Sequence, residues 1–143
     1  MEFTIGVEAI TSYKRLSYTP WHAIAEFVDN STQAYFDNKK LLDAAYEAEG
    51  ERGLLVSIAY DRDDKQGFLR ISDNSIGMSE RELEYAMKVA FPPKNPYGRS
   101  RYGMGLKTAA CWIGNIWTIR TKKLGETEEH IVTVDVNKIA ANK

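Results

Sequence analysis

The sequence predicts an α+β domain, and three observations carry that prediction. Residues 20–37 bear a helix-period stripe, residues 54–72 and 115–136 hold two pairs of β-rich runs, and Ser79 opens a further helix between them. With 143 residues, 43% hydrophobic and 27% charged, the chain suits a single domain over 1–143 built on one core.

The elements follow in order. Phe3, Ile5 and Val7 alternate as in a short strand, but Tyr13–Tyr18 shows no clean period, so 1–18 reads as an N-terminal arm. Thr19-Pro20 supplies a hydroxyl N-cap and a proline at the first helical position. The helix it starts runs to Tyr35 or Asp37, with Ile24, Phe27, Val28 and Tyr35 as its apolar face. Lys39 to Glu49 continues as helix after a break, and Gly50 and Gly53 end it. Leu54–Tyr60 and Gly67–Ser72 pair as a hairpin around a charged turn. Ser79-Glu-Arg-Glu82 is a capping box, and Leu83, Ala86, Met87 and Ala90 form the inner face of the helix behind it. Phe91-Pro92-Pro93 stops that helix, and a loop of basic and small residues leads to Gly103-Met104-Gly105, which opens a helix over Leu106–Ile113. Asn115–Lys123 and Glu128–Val136 form a second hairpin around Leu124-Gly-Glu126, and 137–143 reads as a frayed tail.

Composition excludes several function classes. Nineteen basic against 20 acidic residues give a net charge of −1, so no global pull toward nucleic acid or membrane is expected. Arg99, Arg101, Arg120, Lys122 and Lys123 alone favour a nucleic-acid role, and solvated or phosphate-facing charges explain them as well. Cys111 is the one cysteine, and with His22 and His130 it makes no zinc set and no internal disulfide. No apolar stretch reaches the roughly 20 residues of a membrane span, and no secretory signal is visible. A cytoplasmic location is expected, nuclear in a eukaryote, and the Asn30-Ser31-Thr32 sequon carries little weight there.

Three motifs carry chemistry. Glu26 and Asn30, four apart, stack on one helix face, with His22, Gln33 and Asp37 extending the stripe. Such a ledge is commonly just solvated. Its oxygens also suit magnesium, which takes one or two protein oxygens beside phosphate oxygens, and Glu26 one turn earlier suits a general base toward a γ-phosphate. Asp73 ends a strand with Gly77 close behind; an acceptor-only carboxylate suits the exocyclic amine of adenine, while an Asx turn explains the same residues. Met78 reads as core, as ligand contact, or as both. Gly103 and Gly105 open a helix, where free N–H groups and the macrodipole favour phosphate, and Lys107 adds a charge; turn geometry alone is an equal reading. Gly98 and Gly103 have Walker A spacing, but Met104-Gly105 stands where Lys and Ser/Thr are required, so this is not a P-loop.

In that order and on those elements, the motifs resemble the GHKL ATPases, which include topoisomerase, MutL, Hsp-type, histidine kinase and MORC members. Ala23–Asn30 is similar to their N-box, Asp73-Asn-Ser-Ile-Gly-Met78 to the adenine motif, and Tyr102-Gly-Met-Gly-Leu-Lys107 to the glycine-rich lid motif. Phe91-Pro-Pro-Lys94 sits where MORC-like members carry a lysine-containing stretch, which makes MORC/MutL-like members the nearest subgroup.

The resemblance implies a Bergerat-type two-layer sandwich, a mixed, mostly antiparallel sheet with helices on one face. It implies binding of ATP and ADP with Mg2+, Glu26 as general base and Asn30 as magnesium ligand. Asp73, Gly77 and Met78 would form the adenine site, with Lys94, Gly103, Met104, Gly105, Leu106 and Lys107 around the phosphates and residues 91–105 as the lid. A homodimer through the lid, the N-terminal arm or an exposed edge strand at 128–136 is implied, with nucleic acid as a partner only through a parent protein. Two departures stand out. Ser75 replaces the first glycine of the Asp-x-Gly-x-Gly pattern, and the strands and Gly-Thr pair that members place beside the aspartate are not met before residue 143, so a piece of something longer is expected. A non-hydrolysing or vestigial binding module and a histidine-kinase catalytic domain are the competing readings.

Overall fold

A computed structural model describes residues 20–63, 65–88 and 114–141. The N-terminal arm, the lid at 91–105 and the glycine-opened helix, including Lys94, Gly103, Met104, Gly105, Leu106, Lys107 and Cys111, lie outside the described residues.

Helix α1 spans Pro20–Asp37 and α2 Lys39–Glu49. Asn38 breaks them: its amide nitrogen donates to the Ala34 carbonyl at 2.9 Å, closing α1 from the side. Gly50 ends α2 in the left-handed conformation at φ 72°, where its N–H reaches the Glu47 and Tyr46 carbonyls, and the Glu51 N–H then bonds the Tyr46 carbonyl at 2.8 Å. A glycine accepts that φ without the clash a Cβ would bring. Strands β1 (Val56–Asp61) and β2 (Phe68–Asp73) follow as an antiparallel pair, with Val56 opposite Asp73. Helix α3 is Glu80–Met87, and its capping box is complete: the Ser79 hydroxyl accepts from the Glu82 N–H, and the Glu82 carboxylate accepts from the Ser79 N–H. Strands β3 (Ile116–Thr121) and β4 (His130–Asp135) pair antiparallel, and α4 covers Val136–Ala141.

The chain is α+β. Among the described residues the expected single mixed sheet is instead two separate two-stranded antiparallel sheets. The segment between them is joined to β3 and its turn by point contacts rather than a ladder. The Leu124 N–H bonds the Ile76 carbonyl at 2.8 Å, and the Met78 N–H bonds the Thr121 hydroxyl at 2.9 Å.

Among the described residues, two core clusters result. Leu83, Met87, Val132, Val134 and Val136 pack together, with Met78, Trp117, Ile119 and Ile139 against them. Leu42, Tyr46 and Ile76 form the second, joined by Ala34, Tyr35 and Leu124. The expected tail at 137–143 is corrected: Val136 and Ile139, three apart on one helix face, reach the first cluster, so most of it folds. Asp135 caps that helix, accepting the Asn137 and Lys138 N–H groups at 3.1 and 3.2 Å.

Candidate functional site

Asp73 is the last residue of β2, and two serines engage its carboxylate. The Ser31 hydroxyl, on α1, donates to one oxygen at 2.5 Å, and the Ser75 N–H donates to the other at 2.9 Å. The Ser75 hydroxyl in turn donates to the Ser31 carbonyl at 3.2 Å. The loop after β2 and the middle of α1 are thereby stitched into one unit across 42 residues of sequence.

The helix and strand place these groups by their periods. Among the described side chains of α1, Ala23 and Ser31 are the buried ones, with Phe27 half-buried between them on the same line, so the inward face includes a hydroxyl that the apolar pattern does not predict. Ser31 is only 6% exposed, and its hydroxyl also lies 3.1 Å from the Phe27 carbonyl. The single proton goes to the carboxylate, the shorter and charge-assisted partner. Asp73 faces the same side of the hairpin as Val56, since directly opposed residues share a face, yet it is exposed and retains free lone pairs for a donor from outside.

Asn30 immediately precedes Ser31, and Glu26 lies one turn earlier; both are half-buried. At 1.5 Å rise per residue, Glu26 sits about 7.5 Å along the helix axis from Ser31. Glu26, Asn30 and Ser31, which bonds Asp73, therefore lie within about two turns of α1. Toward the helix C-terminus the polar stripe is internally satisfied, Gln33 donating to Asp37 at 2.8 Å.

Gly77 has φ 72°, and a Cβ there would fall 1.9 Å from the Lys122 carbonyl oxygen. Its lack of a side chain lets the loop lie flat on the β3–β4 turn. The Met78 side chain packs against the Leu83–Met87 cluster while its N–H is held by Thr121. On the far side of the loop, Glu82 pairs with Lys123 at 2.7 Å. Partial burial raises the Glu82 carboxyl, but the Lys123 ammonium and the Ser79 bonds outweigh it and hold it below the ordinary carboxylate value.

Ser31 and Asn74 are the site residues that motif reading missed. Ser31 had a signal: a polar residue four after Phe27, in line with the buried positions of an amphipathic helix. Asn74 had none, because its partners come from α2 and the loop behind it. Its side-chain amide donates to Glu51 at 2.8 Å and to the Gly53 carbonyl at 3.0 Å, and its oxygen accepts the Leu55 N–H at 2.8 Å.

Comparison with known proteins identifies the family. Residues 18–143 match the family described as histidine kinase-, DNA gyrase B- and HSP90-like ATPase. The chain is also similar to ATPase morc-1 of Caenorhabditis elegans, with 30% identity over 122 residues, covering 85% of this chain and 12% of that protein. The chain thus spans about an eighth of the relative's length. A match over nearly the whole chain, on the elements that bring Ser31 to Asp73, shows that this chain belongs to the histidine kinase-, DNA gyrase B- and HSP90-like ATPase family, as a GHKL-type ATPase domain of MORC-like sequence.

Proposed function

We propose that this domain binds ATP with magnesium between α1 and the end of β2 and hydrolyses it, with Glu26 as general base. The observation that carries the reading is the Ser31–Asp73 bond, which joins the helix bearing Glu26 and Asn30 to the adenine-motif carboxylate. Each residue fits its assigned chemistry. Asp73 accepts hydrogen bonds only and is exposed, so it receives the adenine amine while Ser31 and the Ser75 N–H keep its direction. Asn30 offers a hard amide oxygen next to the half-buried Glu26 carboxylate, a donor set that fits magnesium bound chiefly by phosphate oxygens and water. When bound, the metal supplies charge neutralisation on the phosphates.

Glu26 accepts a proton from a water whose oxygen attacks the γ-phosphorus. The bond between that phosphorus and the bridging oxygen breaks, and ADP leaves with the electron pair. Residues 91–105, with Lys94, Gly103, Gly105 and Lys107, close over the phosphates, and closure is coupled to pairing with a second copy. Work done with the energy of hydrolysis, and any contact with nucleic acid, belongs to a longer protein. No helix among the described residues is long and apolar enough to cross a membrane.

The test is Glu26→Ala followed by calorimetry and phosphate release. The variant is expected to bind ATP with wild-type affinity and to lose turnover by roughly two to four orders of magnitude, the contribution of a general base. Unchanged turnover removes Glu26 from the mechanism.

A further inference from the structure

Asn74 is held from three directions, and every polar atom it owns is used. Its side chain bridges Glu51, the Gly53 carbonyl and the Leu55 N–H, as described above. Its own N–H donates to the Leu55 carbonyl at 3.3 Å, and its carbonyl accepts the Tyr46 hydroxyl at 2.9 Å. Tyr46 is 5% exposed in the second core cluster, and burial, reinforced by the Glu51 carboxylate, pushes its phenol up so that it stays a donor. The peptide joining Asp73 to Ser75 is thus clamped between α2 and the loop leading into β1.

We infer that Asn74 is a positioning residue for nucleotide recognition: by fixing the backbone on either side of itself, it aims the Asp73 carboxylate and presents the Ser75 N–H to it. The inference rests on the nucleotide reading above. The chemistry requires an amide. Two donors meet two acceptors, Glu51 and Gly53, while the amide oxygen meets the Leu55 N–H, so aspartate at this position would lose both donors and set a second negative charge against Glu51. Leucine or alanine would strand the Leu55 N–H and the Gly53 carbonyl.

The experiment compares the wild-type chain with Asn74→Asp and with Asn74→Asp/Glu51→Lys, which restores an opposite-charge contact. It reads ADP affinity by calorimetry and hydrogen exchange of the Ser75 amide by NMR, both under conditions well below the denaturation midpoint of each variant, and that midpoint separately. Asn74→Asp is expected to weaken ADP about tenfold and to speed Ser75 exchange by about tenfold, the loss of roughly one well-made hydrogen bond, and the double variant is expected to recover most of both. Should Asn74→Asp fail to fold, Tyr46→Phe, which removes one clamp, is expected to give the same two changes at about threefold. A lowered midpoint with wild-type ADP affinity and wild-type Ser75 exchange would overturn the inference, because a residue that only stabilises moves the first and not the others. A wild-type chain that binds no ADP would overturn the nucleotide reading and the recognition role with it, while Ser75 exchange would still decide separately whether Asn74 holds the Asp73 turn.

Discussion

The two core regions of this domain are held by different forces. Around Leu83, Met87, Val132, Val134 and Val136 the packing is apolar, with three of those side chains supplied by β4 and the start of α4. Around Leu42, Tyr46 and Ile76 the apolar patch is small, and hydrogen bonds from Tyr46, Asn74, Ser31 and Ser75 do the joining. Apolar burial is non-directional and tolerates small displacements; hydrogen bonds fix direction. The region that, on the proposed reading, aims a carboxylate at the nucleotide is the region built from directional contacts.

That contrast can be broken from either side. Leu83 is fully buried, so Leu83→Ala is expected to cost about 2–5 kcal/mol in chemical denaturation while nucleotide affinity of the folded fraction stays unchanged. A large loss of affinity in that variant would mean that the two regions are not separable. Gly77→Ala strikes the seam between them. It pushes a methyl into the Lys122 carbonyl at a positive φ, and about 2–4 kcal/mol of lost stability is expected. Because the seam carries the adenine-motif loop, this variant should also weaken nucleotide binding, which a titration on the folded protein reads directly.

Ser31→Ala sharpens the comparison within the polar region. It removes a donor from Asp73 without creating a large cavity, and about 1–3 kcal/mol is expected to be lost, divided between stability and ATP affinity. Ser31→Thr, which keeps the hydroxyl, should retain most of the affinity.

The smallest effect lies on the exposed rim of the seam. Glu82 is held below its ordinary value of 4.5, so the folded state favours its charged form. That contribution is fully present above the ordinary value and is lost as pH falls through the lowered one. With the side chain 49% exposed, solvent screening limits it to a few tenths of a kcal/mol. Glu82→Gln should flatten the acid limb of the stability profile by that amount, and an unchanged limb would show that the Lys123 pair contributes nothing.

Local chemistry was legible in the sequence. Pro20 at the helix start, Gly50 at the end of α2 and the Ser79–Glu82 capping box each act through neighbours within four residues, and each stands where the pattern put it. The strands were legible because their β-branched runs are bounded by charged or glycine turns. The polar core was not. Ser31 to Asp73 spans 42 residues, Tyr46 to Asn74 spans 28, and no periodicity encodes such pairs. Helix α4 was missed because its six residues are too few to show a period, and its stability comes from the Asp135 cap and from Val136 and Ile139 docking on a core made elsewhere. Ser75, read from the motif as a departure from glycine, turns out to bond α1, so the departure adds a contact to the site.

The central claim, that α1 and the end of β2 form one nucleotide site with Asp73 as its reader, is tested most directly by titrating ATP into the wild-type chain and into Asp73→Asn, with magnesium, by calorimetry. The account predicts binding in the micromolar-to-millimolar range, about −8 to −4 kcal/mol, in the wild type and its loss in Asp73→Asn, since an amide placed between Ser31 and the Ser75 N–H cannot satisfy both and the adenine amine. ATP binding of equal strength in the two proteins would contradict it.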